Sequence, residues 1–416
     1  MSGFIYVKIS DSRIKDKLRD ICSNLVPKDF IHEIVKENEE ELLIVWNQPE
    51  LTIWKRLEDG TVIISLGSEE LPDWETEPKM TDVVEKTQRS RNNLSLFILT
   101  DRGRVMFVND IAALSQVYYG ISENRDWFLS SHKWLFSRMF RRNIFELHGG
   151  CYYSFGEGVE HFFDFWHLQN PETTRLVDDS HWTEYTGKAV LTMLKKSIQD
   201  LLKEDQSEDI LIASGGGFGS SILAAIISGK LGKNIVSCCV GKDEETYDMH
   251  MHSKVTTFLG ITEMRVELAK SVRSDDKLCK ILSCLPYDIE RVGHFVRLAE
   301  VMRQTRRNAR TIVFGIGYHE LFQSNVPICT RLEDENLKRN LIVKIFELYG
   351  FRLICPFLSN QFIKFMETIP DKVRNLNPQA YILRRRAELD GLLEAEICWR
   401  MGITYEDSLS IMWECD

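Results

Sequence analysis

Asp209-Ile210-Leu211-Ile212-Ala213-Ser214-Gly215-Gly216-Gly217-Phe218-Gly219-Ser220-Ser221, continued by Ile222-Leu223-Ala224-Ala225-Ile226-Ile227, is the stretch from which the rest of the chain is read. Its apolar run has the length of a parallel strand covered on both faces, and the small residues after it let a helix start directly at the turn. Such a turn aims backbone N–H groups, and the positive end of a helix, at an anion, most often phosphate. It is not a P-loop, because no Lys follows the glycines at the spacing that reaches a terminal phosphate, and it is not a dinucleotide fingerprint. Taken alone, the stretch is equally a tight strand–helix connection of an α/β domain.

The chain has 416 residues, too many for one ordinary core and enough for two domains. A formal net charge of −10 argues against a nucleic-acid footprint and gives no reason to invoke an acidic membrane surface. The ten cysteines contain no C-x-x-C pair and the N-terminus has no signal-peptide pattern, so reduced thiols in a cytoplasmic protein are expected. No apolar run approaches the ~18 residues needed to span a bilayer, so no membrane association is expected.

Before the glycine turn, short β-rich runs follow one another: Gly3 to Ile9, Glu41 to Trp46, Leu51 to Trp54, Thr61 to Leu66, Leu94 to Thr100, Val105 to Val108 and Gly150 to Phe155. One helical segment, Arg13 to Asn24, interrupts them. This density of strands predicts layered antiparallel sheets. Residues 165–180 turn polar around Asn170-Pro171-Glu172 and read as a linker, and an amphipathic helix follows from Ser180. Past the glycine turn, Ile235 to Val240 reads as the next parallel strand, and Asp243-Glu244-Glu245 as the acidic start of a helix. His250 and His252, two positions apart on that helix, point to different faces, make a poor metal pair, and are read as surface residues.

The chain resembles the asparagine synthetases in the order of its small motifs. Ser214 to Ser221 resembles the pyrophosphate loop S-G-G-x-D-S-S, Gly315-Ile316-Gly317-Tyr318-His319-Glu320-Leu321-Phe322 resembles G-E-G-x-D-E-L-F, and Arg352 to Ser359 resembles R-V-P-F-L-D. Ala380 to Arg384 resembles K-x-I-L-R, and Trp399-Arg400 begins a W-R-x-K-like segment. In the first half, Asp110 to Gly120, Trp127 to Phe136 and Leu147 to Phe155 resemble segments of the glutamine amidotransferase domain.

The resemblance implies two domains. Residues 1–165 would form an Ntn-type α+β domain of layered antiparallel sheets with helices, and residues 180–416 an α/β ATP-pyrophosphatase-like domain with a parallel sheet. It also implies ATP and magnesium as cofactors.

The departures from the family are selective. The N-terminal Cys nucleophile is replaced in Met1-Ser2-Gly3, and no segment matches those that hold the glutamine. Anchored on Ser220 and Ser221, the loop Asp falls on Gly219; anchored on Ser214, it falls on Phe218. Either way the loop has no carboxylate. Ile316, His319, Ser359, Ala380 and Gly402 stand where the family has Glu, Asp, Asp, Lys and Lys. Each lost group of this kind typically costs ~2.7–4 kcal/mol of transition-state stabilisation.

The expected phosphate-binding residues are therefore Ser214, Gly215, Gly216, Gly217, Gly219, Ser220, Ser221, Gly315 and Gly317, with no metal ligands. Ser2 and Glu320 are the candidate catalytic residues, and Asp243, Glu244, Glu245 and His319 are further polar candidates. Two functions are carried forward. The first is a degenerate synthetase homologue without glutaminase or asparagine-forming activity, acting with a protein partner or as a homo-oligomer. The second is an ATP-dependent amide-forming enzyme, of the lactam- or peptide-cyclising type, that does not use glutamine. Arg303, Arg306, Arg307, Arg310 and Arg384 to Arg386 are read as exposed helix faces.

Overall fold

The computed structural model describes residues 2–9, 12–26, 30–47, 53–67, 71–90, 93–121, 126–132, 144–155, 159–164, 180–203, 205, 209–230, 234–241, 247–267, 289–306, 308–322, 328, 332, 336–374, 376 and 379–399. The chain divides into two compact units. The first is drawn from Met1–Asn170 and includes Asn336–Lys344; the second takes Pro171–Ser274, Asp288–Glu335 and Ile345–Asp416.

In the first unit two antiparallel sheets are stacked. One contains β1 (Gly3–Lys8), β2 (Ile31–Glu37), β3 (Glu41–Asn47), β8 (Tyr118–Ile121), β9 (Trp127–Ser130) and β10 (Ile144–Glu146), in the order β10-β8-β9-β1-β3-β2. The other contains β4 (Trp54–Arg56), β5 (Val62–Leu66), β6 (Ser95–Leu99), β7 (Val105–Val108), β11 (Cys151–Phe155) and β12 (Val159–Asp164), in the order β12-β11-β7-β6-β5-β4. Alternation along each strand sends Phe4, Tyr6, Leu43 and Val45 inward to meet Ile64, Phe97, Leu99, Phe107 and Phe155 in one core. The opposite face of the first sheet, with Ile5, Val7, Leu42 and Ile44, is covered by Leu18 and Cys22 of α1 (Ser12–Leu25). A second helix, α2 (Met80–Arg89), packs by Val83 and Thr87 against β6 and β7.

The layered antiparallel reading thus describes the first unit, with elements the sequence pattern did not give. Strand β2 alternates poorly because four of its first residues are exposed at the sheet edge. Strands β8, β9 and β10 are each three or four residues long. Helix α2 opens on the polar run Lys79-Met80-Thr81-Asp82.

The second unit contains a parallel sheet of β13 (Asp209–Ala213), β14 (Asn234–Gly241), β15 (Thr262–Glu267), β16 (Thr311–Phe314) and β17 (Arg352–Ile354), ordered β15-β14-β13-β16-β17. Helices α3 (Ser180–Leu202), α4 (Phe218–Lys230), α5 (Tyr247–Leu259) and α6 (Ile289–Thr305) accompany it. Near-continuous burial of β13, β14 and β16 follows from cover on both faces. The chain steps outward from β13 through β14 to β15, then returns to the other side of β13 for β16 and β17. The order therefore reverses between β13 and β16, and a crevice at the carboxyl ends of the strands belongs at such a reversal.

Among the described residues, Cys22, Cys151, Cys238, Cys239, Cys355 and Cys398 are buried. No described helix is long and apolar enough to cross a membrane.

Candidate functional site

The two glycine turns emerge side by side because of the strand register. Ala213, the last residue of β13, pairs with Phe314, the last residue of β16, so Ser214 and Gly315 begin their turns at the same sheet edge. Gly315 lies directly against the start of α4: a β-carbon there would sit 3.2 Å from the Ser220 nitrogen. The structure thus brings Ser214 to Ser221 and Gly315 together, while Gly317 faces Leu358 and Phe357.

The first turn is held by its own hydroxyls. Ser214 Oγ accepts the Gly216 N–H at 3.2 Å and lies 3.0 Å from Ser220 Oγ, while the Ser214 N–H donates to the Cys238 carbonyl of β14 at 2.8 Å. Ser221 donates from both its N–H and its hydroxyl to the Gly217 carbonyl, at 3.1 and 2.8 Å. That N–H bond is the first of α4, so the amides of Gly217, Phe218, Gly219 and Ser220 have no intrahelical acceptor. Around Gly215 and Gly217, both exposed, a β-carbon would meet nothing within 4 Å. Open backbone amides at the positive end of a 13-residue helix suit an anion.

The flank of the turn is filled by aromatic rings. Tyr318, which opens α7 (Tyr318–Phe322), is buried, and a β-carbon on Gly219 would lie 2.9 Å from its Cγ. Its ring centroid is 5.9 Å from Phe218, 5.4 Å from Phe322 and 5.6 Å from Phe357. Burial pushes the Tyr318 phenol up to about 12, and the nearby Arg384 guanidinium opposes that shift. Gly317, at φ +93°, is pressed against Leu358, whose Cδ2 would lie 2.5 Å from a β-carbon. The segment Pro356–Leu358 is thereby part of the same packed corner.

Arg384 is not on an exposed helix face. It is buried, its guanidinium stands 4.6 Å over the Phe218 ring, and it donates to the carbonyls of Gln379 at 2.7 Å and Cys398 at 2.5 Å. Gln379 in turn reaches His319 Nδ1 at 3.0 Å. A planar guanidinium does this work where an aliphatic side chain could not, because it stacks on a ring and donates in two directions at once. Arg303, Arg310 and Arg385 are exposed; Arg307 and Arg400 lie outside the described residues.

His252 is likewise not a surface residue. It is fully buried, with Nε2 2.9 Å from Ser237 Oγ and Nδ1 3.3 Å from Glu263 Oε1. The spacing argument that separates it from His250 also required one of the two to face the sheet, and His250 is the exposed one.

His319 and Glu320 are half-buried in the second turn. Asp243, Glu244 and Glu245 lie outside the described residues. No group of three His, Cys, Asp or Glu side chains among the described residues is placed to hold a metal ion. Ser359, where the resemblance expects an Asp, caps the helix Asn360–Glu367 by accepting the Phe362 N–H at 3.3 Å, and lies 2.7 Å from Ser197 Oγ. It is occupied by a structural task.

In the first unit, Ser2 is half-buried immediately before β1. A β-carbon on Gly3 would fall 2.4 Å from Ser131 Oγ, 2.7 Å from His132 Cε1 and 2.8 Å from Trp46 Cζ2. Ser131 Oγ accepts the Phe4 N–H at 3.0 Å and lies 2.7 Å from His132 Nδ1. Burial holds the His132 imidazole well below its ordinary range, with the positive charges of Lys344 and the N-terminus adding to the effect.

No family model matches the chain, and no curated protein matches it. Among solved structures, an NH3-dependent NAD synthetase from Campylobacter jejuni matches at 12% identity over 49% of this chain and 95% of that one, with a TM-score of 0.26. A glutamine-dependent NAD+ synthetase from Acinetobacter baumannii, in complex with ADP, matches at 12% identity over 66% of this chain and 49% of that one, TM-score 0.28. The glutamine phosphoribosylpyrophosphate amidotransferase from B. subtilis, complexed with ADP and GMP, matches at 8% identity over 76% of this chain and 81% of that one, TM-score 0.28. At these values the likenesses carry no argument about what this chain does.

Proposed function

We propose that the second unit is a nucleotide-phosphate-binding domain and that the protein is a degenerate relative of the asparagine synthetases, acting through a partner or as an oligomer rather than as an asparagine-forming enzyme. The loop Ser214 to Ser221 would hold a phosphate group of ATP through its backbone amides. The observation that carries this reading is the contact between Gly219 and Tyr318: the ring lies where a side chain on residue 219 would begin, so that position has no room for a carboxylate. No three His, Cys, Asp or Glu side chains are grouped to hold a metal ion among the described residues, so in this reading the loop's backbone amides are what hold the phosphate. The crowding of Gly3 by Ser131, His132 and Trp46 supports a retained structural role for the first unit, in which Ser2 is the candidate nucleophile.

Calorimetric titration with ATP, with and without magnesium, tests this. Binding of similar strength in both conditions is the expected result, and no binding up to millimolar ATP would sink it. The second reading is ATP-dependent amide formation without glutamine. It rests on His319 and Glu320, half-buried polar residues beside Tyr318 that would have to take over the work of the lost acids. Magnesium-dependent binding accompanied by pyrophosphate release would establish that reading in place of the first.

A further inference from the structure

The innermost residue of the glycine turn rests on the backbone of α5. Gly216 has φ +70°, and a β-carbon there would lie 2.7 Å from the His252 amide nitrogen, 3.0 Å from the Asp248 carbonyl oxygen and 3.0 Å from the Met251 carbonyl carbon. The turn can approach this closely only because residue 216 has no side chain. Its position is therefore set by where α5 lies.

What fixes α5 at that point is the side chain of the same residue. His252 reaches past its own helix to two strands at once: Ser237 of β14 at 2.9 Å and Glu263 of β15 at 3.3 Å. The two strand residues are themselves paired across the parallel ladder. The Glu263 carboxylate is held by Arg265 Nε at 2.8 Å and by Ser253 Oγ at 3.3 Å. One imidazole thus ties a helix to two strands directly beneath the loop.

We propose that His252 is a positioning residue for the glycine loop, so that anion binding by Ser214 to Ser221 responds to the charge of a side chain that does not touch the anion. The proposal rests on the phosphate-binding reading of the loop. A neutral ring meets Ser237 with one nitrogen and faces Glu263 with the other, without good hydrogen-bond alignment. Protonation turns both nitrogens into donors and draws the ring toward the carboxylate, which pulls α5 relative to β14 and shifts the support of Gly216.

The charged and titratable groups around the ring are few. Helix α5 carries Asp248 and Lys254 one turn or less away, and His250 on its exposed face; β15 carries Glu263 and Arg265. β14 brings the Cys239 thiol on the same face as Ser237 and Cys238 on the other. The only charged residue of α4 is Lys230 at its far end. Burial lowers the His252 basicity below its ordinary value, and the Glu263 carboxylate partly restores it.

The test follows the Gly216 amide resonance and the His252 ring protons through a pH titration, together with binding of inorganic sulfate, which stays a dianion throughout. In the wild type the Gly216 amide moves with the same midpoint as the His252 ring, and sulfate affinity weakens roughly fivefold as the pH falls through that midpoint. His252→Gln keeps an amide for Ser237 but cannot titrate, and it abolishes both dependences. Glu263→Gln leaves the ring in place and moves both midpoints to lower pH. A Gly216 amide that ignores the His252 midpoint overturns the proposal whatever sulfate does. Sulfate binding that is absent at every pH, with Gly216 still tracking His252, sinks the phosphate-binding reading while leaving the His252-to-loop coupling established.

Discussion

The start of β1 and the turn after β13 are both glycine-containing starts of a structural element, and they have opposite surroundings. At Gly3 the space beyond the α-carbon is taken by Ser131, His132 and Trp46. At Gly215 and Gly217 there is open space, and amides without intrahelical acceptors line it. The first is packed shut around a backbone that has become part of a core. The second keeps a backbone surface free for a ligand. A glycine is informative about function only when its missing side chain leaves room, and here one does and the other does not.

The comparison is sharpest at Gly3. Gly3→Ala should destabilise the protein by about 3 kcal/mol, since three buried groups have to move together. Denaturant melts would measure it, and a loss under ~0.5 kcal/mol would mean that the strand start is loosely packed. Gly219→Ala should cost about 2 kcal/mol, because the opposing atoms are the base of a wedged Tyr318 ring. That penalty should be relieved in a Tyr318→Ala background, giving a coupling energy of about 1 kcal/mol or more in a double-mutant cycle.

Ser214→Ala removes an acceptor for the Gly216 N–H and one of the partners of Ser220, and should cost about 1 kcal/mol while weakening phosphate binding. Gly217→Ala, by contrast, should stay within about 0.5 kcal/mol of the wild type in stability and act on phosphate affinity alone. If it proved as destabilising as Gly3→Ala, the distinction between the closed and open glycines would fall.

Acid should test both units. His132 and His252 are each less basic in the folded chain than in the unfolded one, chiefly through burial. The neutral imidazoles' contribution is complete above the unfolded-state value of about 6.5 and is lost as pH falls toward the folded-state values. Melting temperature should therefore decline below about pH 6.5, and His132→Gln or His252→Gln should each flatten part of that decline.

Local signals were legible and tertiary ones were not. A strand, a run of small residues and an apolar helix lie consecutively in Asp209 to Ile227, so the glycine turn could be read directly. Tyr318 occupies a position that the resembling motif leaves unspecified, and nothing nearby in sequence says that its ring will meet Gly219, about a hundred residues earlier. Arg384 sits in a run of three arginines that looks solvated; only the fold places Phe218 beneath one of them. His252 was within reach of sequence reasoning, since a helix covering a sheet must turn one face inward. The partners Ser237 and Glu263 depend on strand order, which periodicity does not supply.

The six described thiols turn the molecule into its own clock. Burial raises the Cys22 thiol to about 12 and Cys398 to about 11, so alkylating reagents find neither solvent access nor thiolate in the closed chain. Labelling must wait for an opening event. Cys22 and Cys151 belong to the first unit, while Cys238, Cys239, Cys355 and Cys398 belong to the second. Mass-resolved alkylation rates in native buffer should therefore time the two units separately, and ATP should slow only the second set if the glycine loop is where it binds.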